Sequence, residues 1–145
     1  MSCKRLMPIK KCQNPKVPVQ YEYDLQKDIC QYIRIQYPDL IFTSDLSGIR
    51  LPMDLAVKTA KLRSSRAIPD LLIFEPRQGY HGLFIELKRP GVSFFKKDGI
   101  TPATEHYAEQ WEMINRLLSK GYLAAHCNTF ETAKAIIDSY LSTTK

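Results

Sequence analysis

IPDLLIFEPRQGYHGLFIELKRP, residues 68–90, is the stretch on which the fold turns. Two apolar runs, LLIF and LFIEL, flank EPRQGYHG, a loop holding Pro76, Gly79 and Gly82, so the segment reads as an antiparallel β-hairpin. Both runs carry charge where a core strand should not. Asp70 opens the first, and Glu86 and Lys88 close the second. Side chains alternate along a strand, which puts Phe84, Glu86 and Lys88 on one face and Leu83, Ile85 and Leu87 on the other. If residue 74 pairs with 84, then 72 opposes 86 and 70 opposes 88. Asp70 then shares a face with Glu86 and Lys88, whereas a slip of one residue would send it to the opposite side.

Working outward, helical spacing begins at Tyr21, with Leu25, Ile29, Tyr32, Ile33 and Gln36 on one side and Pro38 as the stop. LIFTS (40–44) is a short strand, SDLSGIRLP a loop, and MDLAVKTAKLR a second helix. Thr101-Pro102 predicts a helix start, a capping hydroxyl followed by proline at the first helical position. That helix should run to about Lys120, where Gly121 supplies a left-handed stop. YLAAHC is the fourth strand. Asn128 and Glu131 form a capping box for a last helix with Phe130, Ala133, Ile136, Ile137 and Tyr140 on one face. The order is αβαββαβα. LFIEL, the third helix and YLAAHC make a crossover unit, so those two strands should be parallel. The expectation is an α/β domain over 19–145, a mixed sheet of about four strands flanked by helices.

Residues 1–18 carry Lys4, Arg5, Lys10, Lys11 and Lys16 among Pro8, Pro15 and Pro18, and read as a basic extended arm. The start has no apolar region after its charges, and no apolar run approaches the ~18 residues of a membrane span. A cytoplasmic product is expected. Cys3, Cys12, Cys30 and Cys127 are scattered without CxxC spacing, which argues against a zinc site or a disulfide framework. The net charge of +6 suits a polyanionic partner without demanding one.

Two carboxylates a few ångströms apart repel, and burial sharpens the penalty. Lys88 offsets part of it; a divalent cation would remove the rest. Magnesium is hard, keeps several waters and needs only one or two carboxylates plus phosphate oxygens. The alternative is a cross-strand ion pair of Asp70 or Glu86 with Lys88 and nothing more. Two further polar residues stand on helical stripes. Gln110 sits among Ala103, Tyr107, Trp111, Ile114, Leu117 and Leu118, where an amide needs a partner. Glu22 lies one turn before Leu25 and Gln26, where a charge also complements the helix N-terminus. Lys58, Lys61, Arg63 and Arg66 before the hairpin, and Arg89, Lys96 and Lys97 after it, could line a phosphate track. His81, His106 and His126 lack ligand spacing and read as loop, helix-surface and strand residues; Trp111 reads as core.

IPD followed by IELK resembles the PD-(D/E)xK nuclease superfamily. More narrowly, from about Tyr21 to Leu141, the layout resembles the VRR-NUC family, the virus-type replication-repair nucleases. The resemblance rests on EYDLQ in the first helix, PDLLIF, GLFIELKRP, the glutamine-bearing helix TPATEHYAEQWEMINRLL, and GYLAAHC. One departure is Ala67-Ile68, where many relatives have glycine before PD. The resemblance implies a restriction-endonuclease-like fold and a DNA phosphodiesterase dependent on Mg²⁺ or Mn²⁺. Asp70 and Glu86 would be metal ligands, with the Leu87 backbone carbonyl as a further contact. Lys88 would orient the attacking water or neutralise charge on the phosphate, Gln110 would stand near that lysine, and Glu22 would supply an acid from the first helix. Short members resemble homodimeric Holliday-junction resolvases acting on branched DNA. Flap, nick or end processing, and an inactive nucleic-acid-binding domain of the same fold, are the other readings.

Overall fold

The computed structural model describes residues 22–46 and 49–142. The basic arm expected over 1–18 and the Tyr21 helix start lie outside them. The elements are α1 (Glu22–Gln36), β1 (Phe42–Ser44), α2 (Met53–Ala60), β2 (Leu71–Ile73), β3 (Leu83–Leu87), α3 (Glu105–Ser119), β4 (Leu123–Cys127) and α4 (Phe130–Ser142). This is the order the sequence predicts. The strands form one four-stranded sheet, β1-β2-β3-β4. β1–β2 and β2–β3 are antiparallel; β3–β4, joined through α3, is parallel.

In the β2–β3 ladder Leu71 faces Ile85, Leu72 faces Phe84 and Ile73 faces Leu83. The expected pairing is therefore displaced by two residues. A displacement of two preserves the alternation of faces, so every side chain stays on its predicted side. Gly82 sets the hairpin's close approach, since a β-carbon there would sit 2.6 Å from the Ile73 carbonyl oxygen.

Each face of the sheet is covered by different helices. Leu71, Ile73, Leu83, Ile85 and Leu87 are fully buried against Leu25, Ile29 and Ile33 of α1 and Ala133, Ile137 and Tyr140 of α4. Each such side chain contributes roughly 1.5–3 kcal/mol of hydrophobic stabilisation. The Tyr32 and Tyr37 hydroxyls both donate to Asp138 Oδ1, fastening the end of α1 to α4. On the other face, Phe84 and Ala124 meet Met113, Ile114 and Leu117 of α3. Trp111, expected in the core, is only half-buried at the margin of this second cluster.

Two helix starts differ from expectation. α3 begins after Thr104, whose hydroxyl accepts from Tyr107 N at 3.1 Å. Thr101 is otherwise engaged: its hydroxyl and backbone N–H donate to the Asp98 carboxylate at 2.6 and 2.9 Å, and Pro102 bridges to Phe95. α4 is capped by Thr129, which accepts from Thr132 N at 3.1 Å, while Asn128 turns to the Val92 carbonyl. Gly121, at φ +85°, ends α3 as predicted. α2 buries none of its residues and presents Met53, Leu55 and Val57 to solvent. No helix among the described residues is long and apolar enough to cross a membrane.

Candidate active site

The site lies at the end of β3, on the face that α3 covers. Asp70 directly precedes β2, and continuing the ladder by one residue sets it opposite Glu86. Its backbone is pinned from the neighbouring strand. The Asp70 carbonyl accepts from Ser44 Oγ at 3.0 Å and from Asp45 N at 2.7 Å. Both donors are in turn held by α1, because buried Gln26 donates to Ser44 Oγ at 2.5 Å and to the Asp45 carbonyl at 2.8 Å. Asp70 Oδ2 accepts from Leu87 N at 2.8 Å, which fixes the carboxylate against the end of β3.

Glu86 is 2% exposed, and its Oε1 accepts from Lys88 Nζ at 2.6 Å and from Gln110 Nε2 at 2.5 Å. Lys88, itself buried, lies over the Tyr107 ring with its ammonium 5.0 Å from the centroid. The predicted trio and Gln110 are thus brought together, three of them from adjoining strand ends and the fourth from α3. Leu87 fills the opposite face with its side chain. Its N–H points toward β2, to Asp70, while Lys88 N–H points toward β4, to Cys127 O at 2.8 Å. Because a strand residue's N–H and C=O aim at the same neighbour, the Leu87 carbonyl also faces the Asp70 edge.

Charge is out of balance here. Burial, then the neighbouring Asp70 carboxylate, pushes the Glu86 carboxyl up to about 8; Lys88 pulls against this and Glu22 adds to it. Glu22, the half-buried first residue of α1, is raised by burial and then by Asp70, with Lys88 and Arg89 opposing. Glu22, Asp70 and Glu86 therefore share one acidic corner of the molecule. Beneath them, burial and then Asp70 and Glu86 lift the Cys127 thiol to about 12. His126, beside Glu86 in the β3–β4 ladder, is lowered by burial and then by Lys88.

Among the described residues, no three His, Cys, Asp or Glu side chains converge as a ready metal cluster. Glu86 is turned to Lys88 and Gln110, and Asp70 to the Leu87 amide. Two observations nevertheless fit a divalent cation. The acids outnumber the nearby cations at buried positions, and Gln110 Oε1 is a buried acceptor with no hydrogen-bond partner. A donor such as a metal-bound water would satisfy it.

The basic residues divide into two groups. Arg63 pairs with Asp45 at 2.9 Å, and Arg66 grips Glu109 through Nε and Nη2 at 2.7 and 2.6 Å. Lys58, Lys61, Arg89, Lys96 and Lys97 are exposed. His81 and His106 are exposed too, one in the hairpin loop and one on α3, as expected.

Sequence reasoning missed Gln26 and Ser44, which hold Asp70 in place. The signal for Gln26 was the one that revealed Gln110: an amide on an apolar helical stripe.

No protein-family model matches the chain, and no curated protein matches it. A solved structure titled "VRR_NUC domain protein" does, with a TM-score of 0.59 and 24% identity over 84% of this chain and 88% of that one. The likeness is one of fold: this chain has the mixed α/β architecture of the VRR_NUC domain protein, the family its motifs resemble.

Proposed function

We propose that the chain is a divalent-metal-dependent endonuclease that hydrolyses DNA phosphodiester bonds. The observation that carries this reading is the co-burial of Asp70, Glu86, Lys88 and Gln110 around one strand end. A cross-strand ion pair would need only Lys88 and one acid. It would not call for a second buried carboxylate or for an amide with an orphaned acceptor.

Asp70, Glu86 and the Leu87 carbonyl would hold Mg²⁺ or Mn²⁺. The ion would supply a Lewis acid for the scissile phosphate and lower the pKa of a bound water. The remaining chemistry belongs to the side chains. Lys88 reaches the Glu86 carboxylate and can donate to the attacking water or to the phosphate oxygen gaining charge. Gln110 holds Glu86 with its amide nitrogen and offers Oε1 to the water's proton. Glu22 adds negative charge that favours a cation over a proton. Lys58, Lys61, Arg89, Lys96 and Lys97 are candidates for phosphate contacts outside the pocket, where each would add to a salt-dependent affinity. Arg63 and Arg66 could join them only by leaving their carboxylate partners.

We further read the enzyme as a structure-selective homodimer of the junction-resolvase kind, working in the cytoplasm. Met53 and Val57, one helical turn apart and both exposed, leave an apolar strip on α2 that a partner would cover. Labelled four-way junction, flap and linear duplex, each incubated with and without Mg²⁺, test both levels. Paired symmetric cuts in the junction that require metal support the full reading. Cuts in the flap alone would replace the resolvase with an end-processing nuclease. Absence of metal-dependent cutting on all three would overturn the nuclease.

A further inference from the structure

Beyond Lys88 the chain folds back over the sheet as a loop rich in aromatic residues. Phe94 is buried and stacked on both sides, by Tyr107 at 5.3 Å and 10° and by His126 at 4.5 Å and 12°. Phe95 differs. Its ring neighbours Phe94, Trp111 and His126 all meet it steeply, at 66°, 83° and 69°, and it is only half-buried. Next to these rings is a cleft of about 330 Å³ lined by Lys88, Phe94, Phe95, His126 and Asn128. The Asn128 amide at its wall makes one long bond, 3.4 Å, to the Val92 carbonyl.

The strand order gives this cleft its meaning. β3 carries Glu86 and leads directly into Lys88, with Asp70 on its β2 side and His126 on its β4 side. Lys88 is thus shared between the acidic corner and the aromatic cleft. A phosphate drawn to Lys88 would bring one of its two flanking nucleosides over the end of β4. We propose that this cleft is a subsite for the base of a nucleotide adjoining the scissile phosphate, stacked on Phe95, flanked by His126 and met at its edge by Asn128. The inference rests on the nuclease reading and extends it to the substrate. A base can enter only if it is unstacked, which selects single-stranded or branched DNA over intact duplex. Every base has an aromatic face, so the subsite discriminates by accessibility rather than by sequence.

Two readouts test it on the full chain. The first uses a branched DNA carrying the fluorescent base 2-aminopurine at one position at a time, with Ca²⁺ replacing Mg²⁺ to keep the strand whole. Stacking in the cleft quenches the probe at one position beside the cut, and Phe95→Ala and His126→Ala each restore its emission. The second compares cleavage of the intact strand with one abasic at that position. The abasic strand should lose about tenfold in kcat/KM with wild-type enzyme. Phe95→Ala should lose as much on the intact strand and little more on the abasic one. Phe95→Leu, which keeps the apolar volume, controls for folding and should behave as Phe95→Ala does. Efficient cutting with equal rates on intact and abasic strands would overturn the subsite and leave the nuclease standing. Quenching that depends on Phe95 without any metal-dependent cutting would support the cleft as a base site and overturn the nuclease.

Discussion

β3 has two faces that are equally buried and chemically opposite. Leu83, Ile85 and Leu87 point into the apolar layer between the sheet, α1 and α4. Phe84, Glu86 and Lys88 point toward α3, and beyond Phe84 the packing becomes ionic. On the first face, removal from water lowers the free energy at every position. On the second, the same removal raises it, and the Glu86 carboxyl resists ionisation up to about 8. One face therefore holds the fold together, while the other uses that rigidity to keep like charges close. Such a division is expected where a binding partner is to supply the missing counter-charge.

The comparison can be broken first through catalysis. Lys88→Ala should leave the circular dichroism spectrum and DNA binding near wild type while lowering the single-turnover cleavage rate by about 10²–10³-fold or more. A wild-type rate would remove Lys88 from the mechanism. On the apolar face the reverse is expected. Ile85→Ala should cost about 2–5 kcal/mol in urea unfolding, with cleavage per folded molecule largely kept.

The polar face should also make stability depend on pH. Because the Glu86 carboxyl is raised, the native state keeps a proton that the unfolded chain releases above its ordinary pKa near 4.5. Metal-free stability should therefore fall as pH rises from about 4.5 to about 8, by an amount on the order of a few kcal/mol, and level off beyond. Glu22, also raised, acts in the same direction. Thermal melts across this window check the slope, and Glu86→Gln should flatten it. The smallest effect is expected from Asp70→Asn, which keeps an oxygen for the Leu87 amide and removes a charge. In metal-free buffer it should raise stability by about 1 kcal/mol, seen as a higher melting temperature.

Much of this division was legible in the sequence, for an identifiable reason. Strand alternation has a period of two, so the residues sharing a face with Glu86 could be named even though the pairing was displaced by two. Gln110 stood out because a polar side chain interrupted an apolar stripe. What stayed hidden depends on contacts distant along the chain. Gln26 reaches Ser44, eighteen residues away, and through it Asp70. Phe94 meets His126 only once the loop after Lys88 has folded back. The helix starts were misread for a local reason: Asp98 competes for Thr101, and Thr129 displaces Asn128 as the cap. Several short polar residues near a helix start can each serve, and tertiary packing chooses among them.

A calorimetric titration of Mn²⁺ into wild-type protein and Asp70→Asn, at a pH above 8, puts the question to the polar face directly. Saturable binding by the wild type that disappears in the variant is the predicted outcome. Equal binding by both proteins, or binding by neither, would mean that buried Asp70 and Glu86 do not make a cation site.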